Sequence, residues 1–152
     1  MKKMALKKVL LWVLVFAIAP LTSSCDLEDD YAGFRFVNLQ ILEAELPETF
    51  EVYKTYQVKV TYLRPNNCTF FEGFDITKPG TTTRNVVAFG SELEDSACAQ
   101  VTDEVVEYFN FTCYYHDTYI FRFWTGEDED GNAVFLEYEV PVTSDPLSGS
   151  TN

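Results

Sequence analysis

Few side chains in this sequence are of the types that carry out catalysis. His116 is the only histidine, and it stands beside Asp117 in a segment whose composition indicates a turn between strands. We therefore interpret His116 as a surface loop residue. The sequence contains no Gly-x-Ser-x-Gly, Walker, dinucleotide-binding or Cys-x-x-Cys pattern. This inventory predicts a protein that is not an enzyme and uses no cofactor.

One acidic string has the composition of a calcium loop. Asp128, Asp130 and Asn132 place oxygen-bearing side chains at alternate positions, with Gly131 between the last two. Calcium binds six to eight such oxygens. The same residues are typical of an Asp-Gly turn in a β-hairpin, and no pair of helices is predicted around them. We expect the hairpin turn, and calcium binding by these three residues is a secondary hypothesis.

Cys25 lies at the junction between an apolar leader and an acidic remainder. Residues 1–8 carry four lysines and no acid, and residues 9–19 are an unbroken apolar run. A run of this length suits a signal peptide and is too short for a membrane-spanning helix, which takes about 20 residues. We therefore predict that residues 1–24 are a signal peptide.

Residues 21–25, Leu-Thr-Ser-Ser-Cys, resemble the lipobox of bacterial lipoproteins. The resemblance implies that the Cys25 thiol takes a diacylglycerol and that Cys25 becomes an acylated, palmitate-bearing N-terminus. Lipoboxes usually have leucine three residues before the cysteine, where this chain has Thr22, and looser forms are familiar in Bacteroidetes-type lipoproteins. An ordinary secretory signal followed by an incidental cysteine is the alternative.

The segment 25–33 is predicted to be an acidic tether. Its carboxylates, Asp26, Glu28, Asp29 and Asp30, resemble the export signal that sends Bacteroidetes lipoproteins to the outer face of the outer membrane. The resemblance implies a lipid-anchored protein of the outer membrane that faces the cell exterior. The periplasmic face is the alternative, and a solvated, self-repelling linker would have the same composition.

The remaining cysteines are Cys68, Cys98 and Cys113. An exported chain folds in an oxidising compartment, which favours one disulfide and one free thiol. Cys113 is in phase with Phe109 and Phe111 in a predicted strand, which indicates a buried thiol. We predict a Cys68–Cys98 disulfide, because Cys68 follows a turn and Cys98 lies in an irregular segment. A Cys68–Cys113 disulfide is the alternative.

The charge of the chain limits its partners. The formal net charge is −13, from 11 Lys and Arg against 24 Asp and Glu. Removal of the leader takes away four lysines and no acid, so the remainder carries 7 − 24 = −17. A field of this sign repels phosphate backbones and anionic headgroups. We expect no nucleic-acid partner, and membrane contact through the lipid alone.

From Phe34 onward, apolar and polar residues alternate with the period of β-strands. We predict seven strands, at residues 34–46, 56–62, 68–77, 82–89, 105–115, 118–125 and 133–142. A bulge is expected at Gly73, and an irregular segment with at most one helical turn at 90–103. Residues 144–152 are predicted to be a flexible tail. The pattern predicts an all-β fold, an antiparallel β-sandwich at residues 34–143.

The segment Asp117-Thr118-Tyr119 opens the sixth predicted strand. It resembles the tyrosine corner of immunoglobulin-like domains, in which the tyrosine hydroxyl bonds back to the backbone. The resemblance implies an immunoglobulin-like sandwich, and a core tyrosine without that hydrogen bond is the alternative. Trp124 is in the opposite phase to Tyr119, and we expect it to pack on the sheet rather than stack on a sugar ring.

The chain as a whole resembles the small surface lipoproteins of Bacteroidetes. Ser96, in Asp-Ser-Ala, resembles their O-glycosylation site and is a candidate for that modification. The expected function is a non-enzymatic binding or interaction module of the cell envelope, with a glycan or a protein as ligand. A structural or accessory subunit of an outer-membrane complex is the alternative, and a small carboxylate-dependent hydrolase is the remote one.

Overall fold

The computed structural model describes residues 33–94 and 97–143, and all regular secondary structure in these ranges is β-strand. Within these residues no helix is long and apolar enough to cross a membrane. The predicted all-β sandwich is confirmed. The strands are β1 (Phe34–Leu39), β2 (Ile41–Glu45), β3 (Phe50–Glu51), β4 (Thr55–Arg64), β5 (Thr69–Thr77), β6 (Thr83–Leu93), β7 (Asp103–Thr112), β8 (Tyr119–Glu127), β9 (Ala133–Val140) and β10 (Val142–Thr143).

The strands differ from the seven predicted ones chiefly in three places, and β7 also ends at Thr112, three residues before its predicted end. The first predicted strand is divided at Gln40, because β1 pairs with β6 while β2 pairs with β4 in the other sheet. β3 and β10 add a two-residue parallel pair that the alternation did not indicate. β6 continues to Leu93, beyond its predicted end at residue 89, and residues 97–102 form no helical turn.

The front sheet is built around β6, its longest strand at 11 residues. β5 pairs antiparallel with one edge of β6. The opposite edge is shared: β1 pairs antiparallel with the C-terminal half of β6, and β8 pairs parallel with residues Thr83 to Val86. β9 extends the sheet beyond β8. Because β1 and β8 pair with different parts of the same edge of β6, both strands belong to one sheet.

The back sheet has the order β2–β4–β7. β4 shows the alternation that the sequence predicts, since Val58, Val60 and Tyr62 are buried while Lys59 stays accessible. Lys59 Nζ pairs with Glu45 Oε1 of β2 at 2.5 Å. Each buried Val or larger side chain contributes about 1.5–3 kcal/mol to folding. The buried phase of β4 therefore fixes which face of this sheet meets the core.

The core between the sheets is largely aromatic. Phe50 lies at its centre, with ring centroids 4.8 Å from Tyr56, 5.1 Å from Phe111 and 5.9 Å from Tyr119. Phe121 of β8 lies 5.0 Å from Phe111 at an interplanar angle of 85°. Edge-to-face pairs of this kind add about 0.5–1.5 kcal/mol each beyond the area they bury. The short strand β3 is held in place chiefly by this packing of Phe50.

Tyr119 joins the loop before β8 to the core. Its ring is fully buried, and its hydroxyl accepts hydrogen bonds from the backbone N–H groups of Tyr114 at 3.1 Å and Tyr115 at 3.2 Å. The predicted hydrogen bond from the tyrosine to the backbone just upstream is thus confirmed. Since a buried hydroxyl needs a partner, this geometry also explains why tyrosine rather than phenylalanine stands here.

Arg84 closes the same end of the sandwich. This arginine is buried, with its guanidinium carbon 5.2 Å from the centroid of the Tyr119 ring. Its Nη1 donates to the carbonyl oxygens of Thr83 at 2.7 Å and Thr81 at 3.1 Å. The positive charge is therefore compensated by carbonyl dipoles and an aromatic face.

Candidate functional site

The outward surface of the front sheet carries exposed phenylalanine side chains. We call the rings of Phe34, Phe36, Phe70 and Phe89 the aromatic face. The exposed fractions of Phe36, Phe34 and Phe70 are 67%, 54% and 53%, and Phe89 is half-buried between them. Exposed apolar groups gathered on one face are typical of interaction surfaces rather than of ordinary solvent-facing sheets.

Strand register places these rings on one side of the sheet. Ser91 of β6 stands opposite Phe36 of β1 on one edge and opposite Phe70 of β5 on the other. In the opposite phase, Leu39 and Ala88 point into the core and are buried. Because alternate residues of a strand face opposite sides, burial of one phase directs the phenylalanines outward.

The rings contact one another along β1 and β6. The centroid of Phe36 lies 5.5 Å from that of Phe34 and 6.3 Å from that of Phe89, both in edge-on arrangements. A Cβ atom built on Gly73 would lie 3.5 Å from the Phe89 ring, so that ring lies over the glycine. Gly73 sits at a register shift of β5, which confirms the predicted bulge.

An open hollow adjoins the aromatic face. It has a volume of about 610 Å³, and its lining includes Phe36, Asn38, Asp75 and Phe89. Apolar walls with a few polar groups are the usual composition of a ligand site. The hollow therefore offers apolar contact area together with an amide and a carboxylate.

The electrostatics of this surface are negative. Asp75 is exposed and takes part in no ion pair within the described ranges. Arg35, which stands between Phe34 and Phe36 in the sequence, is paired with Glu92, whose Oε2 lies 2.5 Å from Arg35 Nη2. Hydrogen bonds from Asn66 and from Arg35 lower the pKa of the Glu92 carboxyl. Arg35 is thereby drawn into a polar cluster at the sheet end.

A second hollow of about 450 Å³ lies at that polar cluster, beside the disulfide. Its lining includes Arg35, Asn66, Glu92 and Gln100. Asn66 Nδ2 donates to Glu92 Oε1 at 2.5 Å, and Asn66 Oδ1 accepts from the Thr69 hydroxyl at 3.0 Å. These groups already satisfy one another, so this hollow reads as a structural polar cluster rather than an open site.

The predicted disulfide is confirmed. Cys68 and Cys98 are bonded, with their Cα atoms 5.6 Å apart, and the Cys68–Cys113 alternative is wrong. Cys113 is a free, fully buried thiol, as predicted. Burial raises the pKa of this thiol, which keeps it protonated and unreactive at neutral pH.

The acidic hairpin uses Asp128 to hold its own turn. Asp128 Oδ1 accepts hydrogen bonds from the backbone N–H groups of Asp130 at 2.9 Å and Asn132 at 2.8 Å. These bonds lower the pKa of the Asp128 carboxyl. In residues 33–94 and 97–143 no three His, Cys, Asp or Glu side chains converge on a common point suited to a metal ion. Asp128, the first of the three candidate calcium ligands, therefore uses its carboxylate to stabilise the turn.

The other predicted residues fall in different places. His116 is exposed at a bend before β8, and Trp124 is half-buried opposite Phe135 of β9. The candidates for lipidation, export and O-glycosylation lie outside the residues that the structure describes; they are Cys25, Asp26, Glu28, Asp29, Asp30 and Ser96.

Sequence reasoning missed the aromatic face. The sequence did contain an indication of it, because β1 and β5 have apolar residues on both sides of the strand. Phe36 is adjacent to Val37, and Phe70 is adjacent to Phe71. A half-buried strand alternates, so adjacent phenylalanines on a strand of a two-layer sandwich place one ring outside. That inference needed the phase of the core to be known first.

Compared with known protein families, with curated protein sequences and with solved structures, the chain gives no significant match. Its function must therefore be argued from its own residues.

Proposed function

We propose that this protein is a lipid-anchored cell-envelope protein that acts as a non-enzymatic binding module, with the aromatic face as its binding surface. The lipobox-like residues before Cys25 support the anchor, and the acidic run after it supports display on the outer face of the outer membrane. The observation that carries the binding role is the exposure of Phe34, Phe36 and Phe70 on one face.

The energetics favour a partner for this face. Full burial of one phenylalanine side chain contributes about 1.5–3 kcal/mol, which these rings do not gain within the described fold. Core positions of the same strands are filled by Leu39 and Ala88, so folding does not require aromatic rings outside. A partner that covers the aromatic face would recover that free energy, and the hollow beside Asp75 would provide directional contacts.

The binding role is tested by photo-crosslinking in intact cells. A benzoylphenylalanine residue at position 36 is expected to form a discrete adduct on irradiation. The matched control places the same residue at position 108, because Tyr108 is exposed on the back sheet. Adducts at neither position, or equally at both, would contradict a binding role for this face. Adducts to stoichiometric outer-membrane proteins at both positions would instead support the accessory-subunit alternative.

The anchor and location are tested separately. Protease treatment of intact cells, followed by mass spectrometry of the membrane fraction, is expected to remove the domain and leave an acylated Cys25 peptide. Protection of the domain until the cells are lysed would place it on the periplasmic face. Release of an unacylated protein into the medium would contradict the lipid anchor.

A further inference from the structure

The aromatic face combines ring faces with unneutralised negative charge. The register identifies the outward positions of β1, β5 and β6, and none of them is Lys or Arg. These positions are Phe34, Phe36, Asn38, Phe70, Asp75, Thr77, Asn85, Val87, Phe89, Ser91 and Leu93. The acidic side chains on this side of the three strands are Asp75 and Glu72, and Glu72 Oε1 accepts a hydrogen bond from the Ser91 hydroxyl at 2.7 Å. The chain as a whole carries a formal net charge of −13.

This combination attracts cations and repels anions. The face of a phenyl ring carries a negative quadrupole, which draws an ammonium or guanidinium group that approaches within about 6 Å. Arginines within the described ranges already make this contact: the guanidinium carbon of Arg122 lies 4.9 Å from the centroid of the Phe135 ring, and that of Arg84 lies 5.2 Å from the centroid of the Tyr119 ring. The exposed rings of Phe34 and Phe36 offer the same chemistry to a partner.

The free edge of β5 favours an extended polypeptide over a small amine. β5 pairs with β6 along one edge, and no strand within the described ranges pairs with its other edge. That edge therefore leaves backbone N–H and C=O groups for a segment that adds as a further strand. Side chains of such a segment alternate, so every second one would project on the side of Phe70 and Asp75.

We propose that the aromatic face binds an extended, basic segment of a partner protein, whose Lys or Arg side chains contact the Phe70 ring and pair with Asp75. This inference rests on the proposed function and specifies the chemistry of its ligand. The segment adds along β5, so that backbone hydrogen bonds supply affinity and cation–aromatic contacts supply selectivity. Anionic ligands are disfavoured by the net charge.

The test uses the processed lipoprotein in non-ionic detergent at 150 mM salt, with fluorescence anisotropy as the readout. The probe is a fluorescein-labelled 12-residue peptide of alternating Thr and Arg. A second peptide has citrulline at each Arg position, which keeps the shape and hydrogen bonds and removes the charge. Binding of the Arg peptide is expected to be at least tenfold tighter than binding of the citrulline peptide.

Matched variants separate this surface from general attraction to an acidic protein. Phe70→Ala is expected to weaken binding by about twofold to thirtyfold, the range for one cation–aromatic contact. Tyr108→Ala removes an aromatic ring of similar exposure from the back sheet and is expected to change nothing. Asp75→Asn is expected to weaken binding more than Glu104→Gln, which makes the same change of charge on the back sheet. Phe70→Trp is expected to tighten binding, a gain that misfolding cannot produce.

Each of the following results would overturn the inference. Equal binding of the Arg and citrulline peptides would remove the charge requirement. Equal effects of Asp75→Asn and Glu104→Gln on peptide binding would show that the acidic protein attracts the basic peptide without a specific binding site. Binding of cellohexaose that is lost in Phe70→Ala would assign the surface to a neutral glycan and leave the proposed function standing. Failure of crosslinking at position 36 in cells would remove both proposals, whereas crosslinking there without Arg-peptide binding removes only this one.

Discussion

At the scale of single residues, Tyr119 has the largest number of separate roles. Its ring packs against Phe50 and Phe111, it lies under the Arg84 guanidinium, and its hydroxyl holds the loop before β8. Two backbone N–H groups, those of Tyr114 and Tyr115, depend on this one oxygen. A buried donor without an acceptor loses about 1–3 kcal/mol, so the hydroxyl matters beyond the packing of the ring.

Tyr119→Phe tests that hydroxyl alone. We expect the free energy of unfolding to fall by about 1–3 kcal/mol, because two N–H groups lose their acceptor while the ring stays in place. Urea unfolding followed by fluorescence measures the change. Tyr108→Phe, at an exposed position, is the control and should alter stability by less than about 0.5 kcal/mol. Equal effects of the two substitutions would refute the structural role of the hydroxyl.

Glu92 makes stability depend on pH. Hydrogen bonds from Asn66 and Arg35 lower its pKa in the folded state below its ordinary value of 4.5. The unfolded state then binds more protons, so stability rises with pH in this window. The contribution is complete above about pH 4.5 and is lost as the pH falls through the folded pKa. Melting temperatures measured from pH 7 to pH 3 should show this loss.

Glu92→Gln is the matched variant for that measurement. It removes the titrating group and keeps an oxygen for Asn66. We expect it to lower the melting temperature at pH 7 and to approach the unmodified protein as the pH falls to 3. A constant difference across the whole range would mean that Glu92 does not contribute to the acid sensitivity.

At the scale of elements, β6 is the central strand of the front sheet. Every other strand of the front sheet except β9 pairs with it, and β1 and β8 share one of its edges. Gly90 lies where β1 and β5 both approach. A Cβ atom there would lie 2.4 Å from the Phe70 carbonyl oxygen and 3.3 Å from Leu39 Cδ1. The close approach of three strands therefore depends on the absence of a side chain.

Gly90→Ala is expected to destabilise the fold by about 1–3 kcal/mol, the usual range for overpacking at a backbone contact. Urea unfolding measures this loss. Gly80→Ala is the control, since its Cβ would meet only the side chain of Thr83, at 3.2 Å, in an exposed loop. If Gly90→Ala were no less stable than Gly80→Ala, β5 would not be held against β6 at this point as described.

At the scale of the whole molecule, a strongly acidic chain is stabilised by its core and by one covalent crosslink. Like charges in a chain of net charge −13 repel one another in the compact state. The Cys68–Cys98 disulfide opposes unfolding because it restricts the unfolded chain over a separation of 30 residues. It also fastens the segment after β6 to the start of β5, beside the polar cluster.

Reduction of the disulfide should therefore lower global stability by about 3–4 kcal/mol, as expected from loop closure over 30 residues. Urea unfolding with and without dithiothreitol measures the difference. A Cys68→Ser/Cys98→Ser double variant should match the reduced protein and be insensitive to dithiothreitol. Sensitivity that persists in the double variant would show that the reductant acts elsewhere.

Much of the fold follows from local chemistry that the sequence displays. Alternation located the long strands, turn residues separated them, and the phase of Cys113 predicted its burial. The Tyr119 hydrogen bond was predicted from the resemblance of Asp117-Thr118-Tyr119 to a tyrosine corner. The Cys68–Cys98 pairing followed from the burial of Cys113. These features depend on residues that are neighbours in the sequence or, for the disulfide, on excluding the one cysteine that is predicted to be buried.

The change of sheet at Gln40, the parallel pairing of β6 with β8 and the aromatic face depend on contacts between distant segments. Alternation is the same whichever strand lies alongside, so it does not specify the partner of a strand. Phe36 and Val37 both satisfy a strand pattern, and only the packing of Val86 and Ala88 against the back sheet decides which of them faces outward. The sequence by itself therefore determined the long strands and the acidic charge, because these are properties of adjacent residues. The tertiary structure decided which apolar side chains remain available to a partner, because that depends on which face of each strand the core occupies.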